Sequence, residues 1–194
     1  MNNQVALDSD FCNMLAPGCY EEKENAFVKS IFESLKQRPV LHPFVYHEEL
    51  LTNVTVKKLV NEGFIEVLEY DAFIMNDSFK RQYIDTFADF YFFMNSEPIE
   101  RTFNAITKHR AKRNMGEIHS LIMAQYLSIP LFMSNDEGAK NLATSRINTQ
   151  SQVVVVKNVL EVFMDVKIKG AFQIDKKAVR SILDYVKFSS QFRF

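Results

Sequence analysis

Short apolar runs alternating with amphipathic stretches predict an α/β fold with a central, mainly parallel five-stranded sheet flanked by helices. Two further observations support that class. The chain of 194 residues is long enough for one ordinary domain with a substantial core, and no repeat or Gly/Ser-rich linker divides it. Its hydrophobic fraction of 47% and charged fraction of 24% are those of a folded protein, which excludes a disordered chain.

The elements follow in order. Val5–Leu7 reads as the first strand, and a short helix runs on through Leu15. "APGCY" breaks it, and "EEKENAFVKSIFESLKQR" is an amphipathic helix with Phe27, Ile31 and Leu35 at i, i+4 and i+8. "PVLH" is the second strand, and Pro43 opens the helix "PFVYHEELLT" from its first turn. "VTVKKLVNEG" forms another helix ending at Gly63, and "FIEVLEY" alternates as a third strand. From Asp77 to about Arg113 the pattern is helical and aromatic, with Phe79, Tyr83, Phe87 and Tyr91 at i+4 spacing and a second helix starting at Pro98. Gly116 precedes the helix "EIHSLIMAQYL". "IPLFMS" is the fourth strand, "DEGAKNLATS" a short helix and "QVVVV" the fifth strand. "KNVLEVFMDV" and "DKKAVRSILDYVKF" close the chain as helices, the second capped by Asp175. One domain over residues 1–194 results, with a core at about 5–156 and a helical extension from 157.

Net charge is −1, so no global positive field draws the chain to nucleic acid or anionic membrane. No apolar run has transmembrane length, and the start lacks a secretory signal pattern, so a cytoplasmic location without membrane contact is expected. Cys12 and Cys19 fit no zinc spacing and are expected as packed thiols. His47 and His119 are expected in packing or surface roles.

Candidate chemistry lies with the acids. Asp8 ends the first strand and begins a helix, Asp136 does the same after the fourth, and Glu117 lies in the first turn of a helix. Each alone is explained by capping and the helix dipole. Together they fall where a parallel sheet brings its strand ends to one ligand-binding edge. Carboxylates crowded there repel one another unless a cation neutralises them, and oxygen-only ligands suit Mg²⁺ or Mn²⁺. Asp10 is a further candidate ligand beside Asp8.

The arrangement resembles the PIN-domain (PIN-like) superfamily, metal-dependent ribonucleases with four acids in a fixed chain order. Leu7-Asp8-Ser9-Asp10-Phe11 is similar to the opening motif, with Asp8 as principal acid. "PVLHPFVYHEELL" supplies the second acid at Glu49 or the adjacent Glu48, "MGEIHSLIMAQYL" the third at Glu117, and Ser134-Asn135-Asp136 the fourth, with Ser in place of the usual Thr. The resemblance spans Val5 to about Val156. It departs from compact toxin-like members in a longer helical aromatic segment before Glu117 and in the C-terminal helices. It implies a three-layer PIN-like fold and hydrolysis of RNA by Mg²⁺ or Mn²⁺ held by Asp8, Glu49, Glu117 and Asp136. Ser9 and Ser134 would steady those acids, or simply cap the same helices. An antitoxin-like protein partner is implied if the chain is the toxin of a toxin–antitoxin pair.

"KHRAKR" supplies Lys108, Arg110, Lys112 and Arg113 as phosphate-binding candidates, with Arg146 as a further one. The alternative is a solvated helix end. The aromatic stripe from Phe79 to Met94 is expected to be buried, with an edge left for a homodimer surface. Two other functions compete. A PIN-like scaffold would bind RNA or protein without cleavage. A haloacid-dehalogenase-like phosphatase also starts with Asp-x-Asp, but Cys12 stands where that family wants Thr or Val, and Glu49 and Glu117 would have no role.

Overall fold

A computed structural model describes residues 3–16, 21–108, 112–149 and 152–168. The chain forms β1 (Gln4–Leu7), α1 (Ser9–Leu15), α2 (Glu21–Leu35), β2 (Arg38–Leu41), α3 (Val54–Asn61), β3 (Glu66–Val67), α4 (Asp77–Asn95), α5 (Phe103–Thr107), α6 (Met115–Tyr126), β4 (Leu131–Met133), α7 (Glu137–Leu142), β5 (Val155–Lys157) and α8 (Val159–Ile168). A π-helical turn, Val45–Glu49, follows β2, and a second, Ala143–Ile147, follows α7.

All five strands are parallel, in the order β3-β2-β1-β4-β5. The alternation of side chains along each strand sorts the apolar residues into two cores. Ala6, Val40, Phe132 and Val156 pack with α4 and α6 on one face. Val5, Leu7, Leu41 and Met133 pack with α1, α2, α3 and α8 on the other. Helices therefore cover both faces, as the alternating pattern predicts.

Several boundaries depart from the sequence reading. The third strand is two residues long: only Glu66 and Val67 pair, with Val40 and Leu41 of β2, and a 3₁₀ turn follows at Tyr70–Ala72. No helix begins at Pro98. Ser96, with φ of 57°, closes α4, and Arg101 folds back to Asp85 and Asp89. The next helix waits for Thr102, whose hydroxyl caps α5 through Ala105 N–H. Pro43 does open a helical turn, but it widens to π geometry at Val45–Glu49, closed by Leu50 N–H on Val45 O. Gly116 lies inside α6, not before it. The Asp175 helix, Cys19 and Arg110 lie outside the described residues.

Tyr83, Phe87 and Tyr91 are buried as the aromatic stripe predicts, while Phe92 and Phe93 remain outside. Cys12 is a buried free thiol, and burial together with the charge of Asp8 pushes its pKa up. Among the described residues no helix is long and apolar enough to cross a membrane.

Candidate metal and catalytic site

The chain steps outward from β1 in both directions, to β2 and β3 on one side and β4 and β5 on the other. The crevice past the carboxyl ends of β1 and β4 is therefore the sheet's switch point, where ligands of open parallel sheets bind. Asp8 sits in it. Its N–H makes the last ladder bond of β1, to Met133 O at 3.0 Å, and its extended backbone places it as the N-cap of α1. Oδ1 accepts Ser9 N–H at 2.7 Å, and Oδ2 accepts the Ser134 hydroxyl at 3.0 Å. The side chain is fully buried.

Ser134 ties two of the acids together. Its Oγ donates to Asp8 and accepts the Asp136 N–H at 3.1 Å, so one hydroxyl sets the spacing of both segments. Asp136 caps α7, its Oδ1 accepting Gly138 N–H at 2.5 Å and Ala139 N–H at 3.3 Å. The capping reading holds for both Asp8 and Asp136, and it coexists with a site because capping occupies only one oxygen of each carboxylate in these bonds.

Glu49 comes from the π-helical turn. Its carboxylate lies directly on the backbone of α6: a Cβ at Gly116 would meet Oε2 at 2.2 Å. Only glycine leaves that seat open. Ser9 and the Gly116 backbone work against the effect of burial on the Glu49 pKa, and its Oε2 is buried without a hydrogen-bond partner. Tyr70 is raised first by burial, with the charges of Glu48 and Glu69 adding to it. Of Glu48 and Glu49, Glu49 is the one whose charge acts on Asp8. The wider helical turn is the kind of local irregularity often found at functional sites.

The carboxyl groups sense one another. Asp8 is raised well above its ordinary range, first by burial and then by the charges of Glu117, Glu49 and Asp10. Glu117, in the first turn of α6, is pushed up to about 7 by burial, with Glu49, Asp136 and Asp10 adding to the effect. Glu49 is raised too, chiefly by burial. Charge effects thus link Asp8 with Glu117, Glu49 and Asp10, and Glu117 in turn with Asp136; Asp10 is exposed. Among the described residues no three His, Cys, Asp or Glu side chains are grouped closely enough to hold a metal ion as they stand. The donor set still fits a hard divalent ion. It is all oxygen, it is negatively overloaded, and it includes an orphaned buried carboxylate oxygen. Mg²⁺ in particular is commonly held by one or two carboxylates and several waters.

Behind this cluster runs a buried chain of hydrogen bonds that sequence reading missed. Phe44 N–H donates to His42 Nδ1 at 3.0 Å, so His42 carries its proton on Nε2 and donates it to the Tyr83 hydroxyl oxygen at 3.1 Å. Tyr83 then donates to His119 Nδ1 at 2.5 Å, and His119 Nε2–H donates to Ile106 O at 2.8 Å. Every donor has an acceptor, and all three side chains are fully buried. The chain spans the end of β2, α4 and α6, so it fixes the approach of the segments that carry Glu49 and Glu117. His119 has the packing role expected of it, and His47 is exposed.

The described cations of the basic run and Arg146 are placed as follows. Lys108 and Arg113 are exposed, Lys112 Nζ stands 5.5 Å from the Tyr91 ring, and the Arg146 guanidinium lies over Phe93 at 4.8 Å. Comparison with protein-family models, curated proteins and solved structures finds no match to the chain.

Proposed function

We propose that this chain is a PIN-like ribonuclease that hydrolyses RNA phosphodiester bonds with Mg²⁺ or Mn²⁺ held by Asp8, Glu49, Glu117 and Asp136. The observation that carries this reading is the set of mutually repelling carboxylates at the β1/β4 switch point, one of them with a buried, unpartnered oxygen. A bound divalent ion supplies charge neutralisation and activation of water for attack on phosphorus. The chain's own residues do the rest. Ser134 holds Asp8 and Asp136 in register, and Gly116 leaves the space that the Glu49 carboxylate occupies. Lys108, Lys112, Arg113 and Arg146 supply cations for the RNA backbone, together with Arg110. An antitoxin-like protein partner and a cytoplasmic location belong to the same reading. A haloacid-dehalogenase-like reading gives Glu49 and Glu117 no part, although both act on Asp8.

The test is cleavage of an end-labelled single-stranded RNA by the purified chain in Mg²⁺, Mn²⁺ or EDTA. Metal-dependent products that vanish in Glu49→Gln support the proposal. The competing reading is a non-cleaving PIN-like scaffold. RNA binding with no cleavage in either metal would establish that reading instead.

A further inference from the structure

The last turn of α4 carries two adjacent aromatic side chains on the outside of the protein, Phe92 at 59% and Phe93 at 37% exposure. Burying rings of this size is favourable, so their exposure at the end of an otherwise buried stripe calls for an explanation. Their position supplies one. The next residue, Met94, reaches α7 beside Asp136: a Cβ at Gly138 would meet Met94 Cε at 3.0 Å and Asp136 Oδ1 at 2.7 Å. Asn95 accepts a hydrogen bond from Asn114, three residues before Glu117. The turn bearing the two rings thus borders the acid cluster on the α6 and α7 sides.

The charge around the rings is also arranged. Asp85 and Asp89, two turns and one turn earlier on α4, are both paired with Arg101. On the other side the Arg146 guanidinium lies over the Phe93 ring. A planar cation on an exposed ring, next to a second exposed ring, suits a ligand that combines flat apolar faces with negative charge. Single-stranded nucleic acid has that chemistry, since every base offers a π-face and every linkage a phosphate.

We propose that Phe92, Phe93 and Arg146 form a stacking platform that binds unpaired bases of an RNA strand entering the acid cluster. The proposal rests on the ribonuclease reading for its direction, and it adds that the substrate is single-stranded where it meets the protein. Phe92 and Phe93 stack on bases, and Arg146 contacts the adjoining phosphate.

The probe is a fluorescent 12-nucleotide oligoadenylate, titrated with the full chain in EDTA at low salt, where metal-dependent cleavage is off. Base–aromatic stacking contributes about 1–3 kcal/mol per base, so Phe92→Ala and Phe93→Ala should each weaken binding by about fivefold or more. Phe93→Trp should bind at least as well as wild type. Arg146→Ala should flatten the salt dependence, whereas Arg146→Lys should retain it. An abasic 12-mer of equal charge should bind wild type and the Phe92→Ala variant alike. Thermal melts confirm that each variant is folded, and Phe93→Trp keeps a bulky ring if Phe93→Ala fails to fold. Equal oligoadenylate binding by wild type and folded Phe92→Ala overturns the proposal, as does no binding by wild type. A homodimer, seen by sedimentation, that Phe92→Ala dissociates with unchanged oligonucleotide affinity assigns the face to a second copy and also overturns it. Cleavage is scored separately. Ring-dependent binding without cleavage in Mg²⁺ or Mn²⁺ refutes the ribonuclease reading and leaves the platform standing.

Discussion

A methyl group at position 116 would stand 2.2 Å from Glu49 Oε2, 2.6 Å from Oε1 and 2.7 Å from Cδ. Ordinary contact begins near 3.4 Å, so Gly116→Ala drives the Glu49 carboxylate back by roughly 1.2 Å. The displaced group is the end of a flexible side chain, and it leaves a seat where burial already disfavours its charge. The helix itself gains: alanine in place of glycine favours α6 by up to about 1 kcal/mol. Melting in EDTA should therefore be unchanged or up to about 3 °C higher. Cleavage should fall about 100-fold, the cost typical of a 1 Å misplacement of a reacting group. The assay pairs thermal melts with RNA cleavage in Mn²⁺. Adding Glu49→Asp, which shortens the side chain, should restore part of the activity to Gly116→Ala. Full cleavage by Gly116→Ala refutes a role for Glu49 in the site. A loss of stability beyond about 2 kcal/mol makes the Glu49–Gly116 contact structural support.

Four further outcomes are expected. Asp8→Asn keeps the α1 cap, because an amide oxygen can accept Ser9 N–H, so metal-free melting should hold or rise while cleavage collapses; normal cleavage with an undiminished Mn²⁺ stabilisation would leave Asp8 a cap alone. Glu117 holds its proton up to about 7, whereas an unfolded glutamate releases it near 4.5, so its contribution to metal-free stability is complete below that range and declines as pH rises through it. Mn²⁺ should accordingly stabilise more at pH 7.5 than at pH 5, and equal stabilisation by melting would argue against carboxylate ligands. Tyr83→Phe strips a partner from both buried histidines and should cost about 2–4 kcal/mol in urea titration; a change below about 0.5 kcal/mol would mean the histidines re-pair. Alanine at Lys108, Arg110, Lys112 and Arg113 together should flatten the salt dependence of RNA binding, and an unchanged slope returns them to a solvated surface.

The parts of this fold that are legible in the sequence are those fixed by neighbours in the chain. Val5–Leu7 followed by Asp8 announces both a buried strand and the acid at its mouth, and the repeat of Phe27, Ile31 and Leu35 announces a buried helix face. Pro98 misleads because proline is compatible with a helix start without requiring one, and the Arg101 ion pairs with Asp85 and Asp89 hold the segment in another path. The third strand pairs with only the last two residues of β2, a fact that "FIEVLEY" does not contain. At the site, the acids could be picked out as strand ends and helix starts, but the choice of Glu49 over Glu48 depends on the π-helical turn. The need for Gly116 depends on a contact 67 residues away along the chain.

The chain through His42, Tyr83 and His119 has a fixed direction of proton donation. A backbone amide of Phe44 anchors one end and the carbonyl of Ile106 the other, and neither group can exchange donor for acceptor. The sequence of donors between them cannot reverse. Burial holds His42 well below its usual range and His119 at about 3, so neither ring gains a proton near neutrality. This buried chain is electrically silent over the pH interval where histidines ordinarily titrate. A proton taken up or lost by the acid cluster between pH 6 and 7 belongs to a carboxyl group.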